Sequence, residues 1–307
     1  MNGNELIALL ASNLSVFQTC VGPIAGALIA AFFMRRNTEV GELEKLKAGK
    51  FSEVINDLLK SGKMSYTEFY KANNFLKIAE LADDTIKKEK HEYKSELYEF
   101  DWFVRFYEAA GNISDVKMQV FWSKLLAGEI VNPNSYSLKT IDVLKNIRQK
   151  DAELFAKVCS HSTFHNRVFF LPNYKEYLKE CNIDYSEILY LSELGLINAA
   201  GTLQLTICLP QNTYTVLPGR ESVLLIKNGK EKSFDFKLAI YPFTEVGIQL
   251  AQLQDNLATT KDFILLSKEF LREEKVEITV HPVINKENDS ISFDDTINLL
   301  EKLRKDL

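Results

Sequence analysis

The sequence is poor in the residues that usually announce chemistry. It holds four cysteines, four histidines and seven prolines in 307 residues. Cys20, Cys159, Cys181 and Cys208 lie far apart, with no CxxC pair. That spacing excludes a disulfide framework and a paired-ligand zinc finger, and it suits a reducing compartment. No P-loop, no GxSxG and no GxGxxG after a strand is present, so the phosphate-cradling and nucleophile motifs are missing. A basic stripe is missing too. The formal charge is −5, and between Arg35 and Phe100 thirteen Lys/Arg stand against thirteen Asp/Glu. Nucleic-acid binding leaves a basic footprint, so nucleic acid is not an expected partner. His161 and His165 share i, i+4 spacing with Cys159 nearby. No Glu stands between them in the HExxH manner, and no third and fourth ligand is legible, so no metal is expected there. His91 reads as solvated and His281 as structural. The pairs Asp83-Asp84 and Asp294-Asp295 are adjacent in sequence and so do not share a helix face. No catalytic residue and no cofactor is expected, and the chain reads as a non-enzyme.

Charge is absent altogether from Leu6 to Met34, and Arg35-Arg36 closes the run. The 21 residues from Leu14 to Met34 would span roughly 30 Å as a helix, the thickness of a bilayer core. The expectation is a single transmembrane helix with Arg35-Arg36 on the cytoplasmic side. Gly22, Gly26 and Ala30 form a small-residue stripe along it, which permits close packing between protomers in lipid. The expected partners are therefore the bilayer and further copies of the chain.

Beyond the anchor, Phe51, Val54, Ile55, Leu58 and Leu59 follow the spacing of one buried helix face, and Gly62 stops that helix. A second helix begins at Ser65 or Thr67 and carries Phe69, Asn73 and Leu76. Leu97–Phe106 is rich in aromatics. From Ser114 to Ala127 a helix places Val116, Val120, Phe121 and Leu125 on one side, and Ser137 caps the next helix. Short strands follow at 168–171, 203–209, 214–217, 223–226 and 236–241, separated by Gln-Asn, Pro-Gly and Asn-Gly turns. The helix Tyr185–Leu196 ahead of these hairpins gives a winged-helix-like order, which alone does not establish DNA binding. The tail reads helix, strand 276–282, a turn at Asn288-Asp289, and a helix Phe293–Leu303. The expected class is α+β in four parts: a membrane anchor (1–36), a helical region (37–112), a helical and winged-helix-like module (113–255) and a small α/β segment (256–307).

Three blocks carry a family resemblance. They are Phe121-Trp122-Ser-Lys-Leu-Leu-Ala-Gly128-Glu129-Ile, then Asn132-Pro133-Asn-Ser135-Tyr-Ser137-Leu-Lys139-Thr140, then Lys150-Asp151-Ala152-Glu-Leu-Phe155. Over roughly Ser114–Leu253 the chain resembles the bacterial family called domain of unknown function 2806. Leu191-x-x-Leu194-Gly195-Leu196-Ile197 and Thr244-x-x-Gly247-x-x-Leu250 are similar as well, and recur in the abortive-infection-alpha family, associated with bacteriophage resistance. The resemblance brings no catalytic residues with it. Read physically, Trp122, Leu125 and Leu126 supply burial, Gly128 allows close backbone approach, and Ser137 caps a helix. Glu129 and Lys139 can pair two helices, and Asp151 opens a helix.

The expected function is a non-catalytic bacterial anti-phage defence protein of the abortive-infection type, held by one helix in the inner membrane with its C-terminal part in the cytoplasm. It would oligomerise and perturb the membrane, or recruit a second defence protein or phage component. The alternative is a winged-helix nucleic-acid-binding regulator. That reading needs a basic face near Tyr185–Leu196, a stretch flanked and occupied by Asp184, Glu187 and Glu193, with no Lys or Arg.

Overall fold

Residues 56–301 are described by a computed structural model, apart from 58, 63, 90–99, 200–202, 230–231, 255, 272–275 and 288–289. The chain parts into two compact units between Asn146 and Ile147.

The first unit is helical: α1 (Tyr66–Glu89), α2 (Phe100–Ala110), α3 (Val116–Val131) and α4 (Leu138–Leu144). Local chemistry sets the helix starts. The Ser65 N–H donates to the Glu68 carboxylate at 2.8 Å, and the Glu68 N–H returns a bond to the Ser65 hydroxyl at 3.2 Å, which is a capping box. Asp115 accepts from the Met118 N–H at 2.9 Å and opens α3. The core is aromatic. Trp102 stacks on Phe106 at 5.1 Å, and Phe106 meets Trp122 at 5.3 Å. One expected face is displaced. Val116 and Val120 are exposed, while Met118, Trp122, Leu125, Leu126 and Glu129 are buried. Spacing puts Val116 and Val120 together, but on the side of α3 opposite the tryptophan.

The second unit begins with α5 (Gln149–Cys159), β1 (Thr163–His165), β2 (Val168–Pro172), α6 (Lys175–Glu180), α7 (Tyr185–Glu193) and β3 (Leu203–Leu209). It continues with β4 (Tyr214–Pro218), β5 (Ser222–Asn228), β6 (Phe234–Pro242), α8 (Glu245–Gln252), α9 (Thr260–Phe270), β7 (Val276–Glu287) and β8 (Ser290–Phe293). Two antiparallel sheets result, ordered β1-β2-β6-β3 and β4-β5-β7-β8. Helix α5, strand β2, helices α6 and α7, and then β3 and β6, with β6 between β2 and β3, follow the order of a winged helix. Between β3 and β6, where a wing would sit, the chain leaves to build β4 and β5 of the second sheet. Phe243 anchors the first sheet's core against Phe169 at 4.8 Å and Phe155 at 5.5 Å. Phe270 of α9 meets Phe236 of β6 at 5.4 Å.

Two expectations are corrected. Among the described residues no helix is long and apolar enough to cross a membrane. The fold is α+β with helices and two antiparallel sheets, and the single-pass inner-membrane placement has no support in it. The run Leu14–Met34, with Gly22, Gly26 and Ala30, lies outside the described residues, as does most of the stretch 51–59. In the tail, Phe293 ends strand β8, paired with Val283 of β7, where a helix start was expected. Residues 290–293 complete a hairpin on β7, which the alternation of polar Ser290 and Ser292 with Ile291 and Phe293 favours.

Trp122 is fully buried. Trp122→Ala is expected to cost about 3–5 kcal/mol, as for other large core aromatics cut to alanine. Urea unfolding followed by circular dichroism measures it, and an unchanged midpoint would contradict the burial.

Candidate functional site

Asp262 is the third residue of α9, where its carboxylate is recruited to cap the helix. One oxygen, Oδ2, accepts the Thr259 N–H and the Thr259 hydroxyl, both at 2.7 Å. The other, Oδ1, faces away from the cap. It meets His161 Nδ1 at 2.7 Å and the Cys181 thiol at 3.6 Å. His161 sits two residues past the end of α5, and Cys181 caps the C-terminus of α6. Tyr177 on α6 donates its hydroxyl to the His161 carbonyl at 2.7 Å. The Ala258 N–H donates to the Ser162 carbonyl at 2.8 Å beside it. Three segments remote in sequence are thus drawn onto one carboxylate.

Electrostatics fixes the protonation of this cluster. The Asp262 side chain is only 3% exposed. Burial alone would raise its carboxyl, but the bonds from His161 and Thr259 more than offset that and hold it below the ordinary range. Burial, then the neighbouring Asp262 charge, pushes the Cys181 thiol up to about 12. Burial raises the Tyr177 phenol as well. Cys181 is therefore a thiol donor to Asp262 at neutral pH, and a thiol is a poor nucleophile. The imidazole presents Nδ1 to the carboxylate.

The histidine pair seen in the sequence is dispersed. His165 ends β1, with Nδ1 3.2 Å from the Thr215 hydroxyl, and burial lowers its pKa. Cys159 is buried in α5, and desolvation raises its thiol. His281 on β7 is buried between the Asp294 carbonyl at 3.1 Å and the Thr279 hydroxyl at 2.7 Å. Cys181 and Asp262 escape sequence reading because they lie 20 and 101 residues from His161, in no motif.

The family-like residues form joints. Glu129, buried on α3, accepts the N–H groups of Asn134 at 2.6 Å and of Ser135 and Tyr136 at 3.1 Å each. Its carboxylate moulds the Asn132–Tyr136 loop. A Cβ on Gly128 would stand 2.5 Å from the Tyr136 hydroxyl, so the glycine makes room for that ring. Ser137 then caps α4 through the Thr140 N–H at 3.3 Å, with Lys139 exposed in the first turn. Asp151, buried in α5, takes the Arg148 N–H and Nε at 3.0 Å each and the Tyr190 hydroxyl at 2.9 Å. Burial would raise its carboxyl, but Arg148 and Tyr190 more than reverse this and hold it low. The later motifs meet one another. The Thr244 hydroxyl donates to the Gly195 carbonyl at 2.6 Å, and a Cβ on Gly247 would collide with the Leu196 carbonyl.

Exposed apolar pairs four residues apart occur among the described residues on α1 (Tyr66, Tyr70), on α3 (Val116, Val120) and on α7. Helix α7 exposes Tyr185 (57%) and Leu189 (41%) four residues apart, with Glu193 exposed one turn on. Its Glu187 is engaged by Lys157 at 3.0 Å. In the first unit, an open cleft of 830 Å³ is lined by Asp101, Arg105, Glu108, Asp142 and Lys145. Two of its cations face one acid there, Lys145 at 2.7 Å and Arg105 at 3.8 Å from Asp142.

A family described as Protein of unknown function (DUF2806) matches residues 61–265, which is more than half of the chain. The chain belongs to this family. The matched span of this DUF2806 protein runs from before α1 into α9, and takes in both motif joints and the Asp262 cluster. No curated protein and no solved structure matches the chain.

Asp151 sets a pH dependence. Its folded-state pKa is depressed, so its contribution is complete above the ordinary aspartate value of about 3.9 and is lost as pH falls through the lower folded value. Asp151→Asn should be less stable than the parent at pH 7 and at pH 5, by the same margin. Below about pH 4 the two unfolding midpoints should converge. Urea titrations across that range test this, and a margin that persisted at low pH would place the effect in the amide's contacts rather than in the charge.

Proposed function

We propose that this DUF2806 protein is a non-catalytic component of bacterial anti-phage defence of the abortive-infection type, acting through protein contacts of its winged-helix-ordered module. The observation that carries the proposal is the surface of α7. In a winged helix that docks on DNA, the corresponding helix enters the major groove, and its neighbourhood neutralises phosphates with Lys and Arg. Here α7 carries no Lys or Arg, follows Asp184 at its N-cap, and displays Tyr185, Leu189 and Glu193. Aromatic and aliphatic side chains on an exposed helix face suit a protein partner, for which tyrosine is a favoured anchor. An acidic margin repels nucleic acid. The partner is a protein, with a second copy of the chain the first to be tested, and a second defence protein or a phage component next. The similarity of the Leu191–Ile197 and Thr244–Leu250 segments to abortive-infection-alpha proteins supports the defence context.

The test is a Tyr185→Asp/Leu189→Asp double variant in a host challenged with a phage panel. Both positions are exposed, so folding stability should stay within about 0.5 kcal/mol of the parent. Plating efficiency should rise to that of cells lacking the protein, and light scattering should show any self-association lost. Fluorescence anisotropy with duplex DNA at low salt should show no binding. Salt-dependent DNA binding would overturn the proposal in favour of a nucleic-acid regulator. Full protection by the double variant would remove α7 from the contact.

A further inference from the structure

We infer that His161 Nδ1, Cys181 Sγ and Asp262 Oδ1 form a binding site for one thiophilic divalent cation, zinc by its chemistry, with water as the fourth ligand. The three donor atoms come from three separate elements and all lie within 4.8 Å of one another. Zinc bonds of about 2.0 Å to nitrogen and oxygen and 2.3 Å to sulfur set tetrahedral ligand edges of about 3.3–3.6 Å. The observed Cys181–Asp262 separation is already 3.6 Å, and the His161–Asp262 separation of 2.7 Å needs only to open slightly. The third edge, from His161 to Cys181, is no longer than 4.8 Å and closes as both donors turn toward the ion.

The surroundings orient the donors as an outer shell does around a metal. Thr259 occupies Oδ2 with two bonds, which leaves Oδ1 as the oxygen presented to both His161 and Cys181. Tyr177 holds the carbonyl of His161, fixing the chain that carries the imidazole. Asp262 and Cys181 are buried, whereas the His161 side chain is 24% exposed. The imidazole thus lies on the open side, where water enters.

The donor set also selects the ion. One imidazole, one thiolate and one carboxylate form a borderline-soft set, which suits zinc and cobalt rather than calcium or magnesium. Two anionic ligands balance the charge of a divalent ion. Binding proceeds by exchange of the ion for protons. The S–H bond of Cys181 breaks as the S–metal bond forms, and that proton passes to solvent. The Nδ1 proton of His161 is lost as the N–metal bond forms, and Nε2 takes one up from water, leaving the imidazole neutral. Cys181 thus releases one proton for each ion bound. The metal then replaces two hydrogen bonds to Oδ1 by coordination, and fastens the start of α9 to the ends of α5 and α6.

The test uses the full chain, stripped by a chelator and titrated with cobalt(II). The background carries Cys20→Ser and Cys208→Ser, because Cys208 is an exposed thiol on β3 that would bind cobalt by itself and Cys20 lies outside the described residues. One cobalt per chain should bind and give a near-ultraviolet thiolate-to-cobalt charge-transfer band, with visible bands of tetrahedral intensity. Cys181→Ser keeps a donor to Asp262, so its metal-free melt should match the background. It should lose the charge-transfer band and bind at least about 100-fold more weakly, a loss no smaller than outer-shell changes cause. His161→Gln keeps an N–H toward Asp262 but removes the imidazole, and should weaken binding alike. It carries the comparison if Cys181→Ser melts early. Zinc should raise the melting temperature of the background and of neither variant. Absence of the band at equimolar cobalt, or its survival in Cys181→Ser, overturns the site.

Discussion

Among the described residues, three carboxylates are taken out of water, those of Glu129, Asp151 and Asp262. A charge moved into a protein interior without donors costs several kcal/mol, and the cost is contained only when each oxygen is hydrogen-bonded. The chain meets this constraint the same way each time. A carboxylate near a helix end is given backbone N–H groups that the helix or loop could not otherwise satisfy: three from the 134–136 loop at Glu129, one at Arg148 for Asp151, one at Thr259 for Asp262. In each case the same carboxylate reaches a second partner or fixes a neighbouring segment. Asp151 and Asp262 are therefore points at which elements distant in sequence are held to one another, while Glu129 fixes the loop that follows its own helix.

Seen through these joints, the family-like motifs divide into pairs. Gly128-Glu129 and Asn132–Ser137 are two sides of one contact, since Tyr136 lies over the glycine and its N–H is held by the glutamate. Gly195-Leu196 and Thr244-x-x-Gly247 are likewise two sides of one contact, since the threonine bonds the first segment's carbonyls and the glycine lets α8 rest on them. Their chemistry is that of close packing and capping. The exposed face of α7 and the buried cluster around Asp262 lie apart from these two contacts.

Much of the architecture is legible in the sequence because local chemistry and the final fold agree there. Ser65, one of the two starts expected for its helix, and Ser137 cap helices at the expected places. Strands β4, β5 and β6 follow the turns that bound them. What escapes reading is whatever depends on direction rather than period. Val116 and Val120 share a face of α3, but nothing local says that Trp122 faces the core and they do not. Strand β8 is short, and only its pairing with β7 separates it from a helix start. Cys181 and Asp262 escape for a related reason. Each already has a local explanation, one as a helix C-cap and the other as a capping-box partner, so neither advertises its meeting with His161. Residues 1–55 include the one segment whose composition pointed to a bilayer, and they lie outside the described residues, among which no helix is long and apolar enough to cross a membrane.

The excursion between β3 and β6 has a consequence for how the chain is made. Leu209 and Phe234, the residues where it departs and returns, are themselves paired, so the first sheet can close as soon as Pro242 has left the ribosome. Strand β5 cannot be finished then. One of its edges is satisfied by β4, but the other waits for Val276–Pro282, synthesised a further thirty-odd residues later. At a translation rate of roughly 5–20 residues per second the open edge persists for about two to eight seconds. A bare edge rich in Val, Leu and Ile is a template for the wrong strand. During that interval the growing chain depends on holding β5 apart from its neighbours on the same message, and any chain cut short before β7 keeps the exposed edge for good.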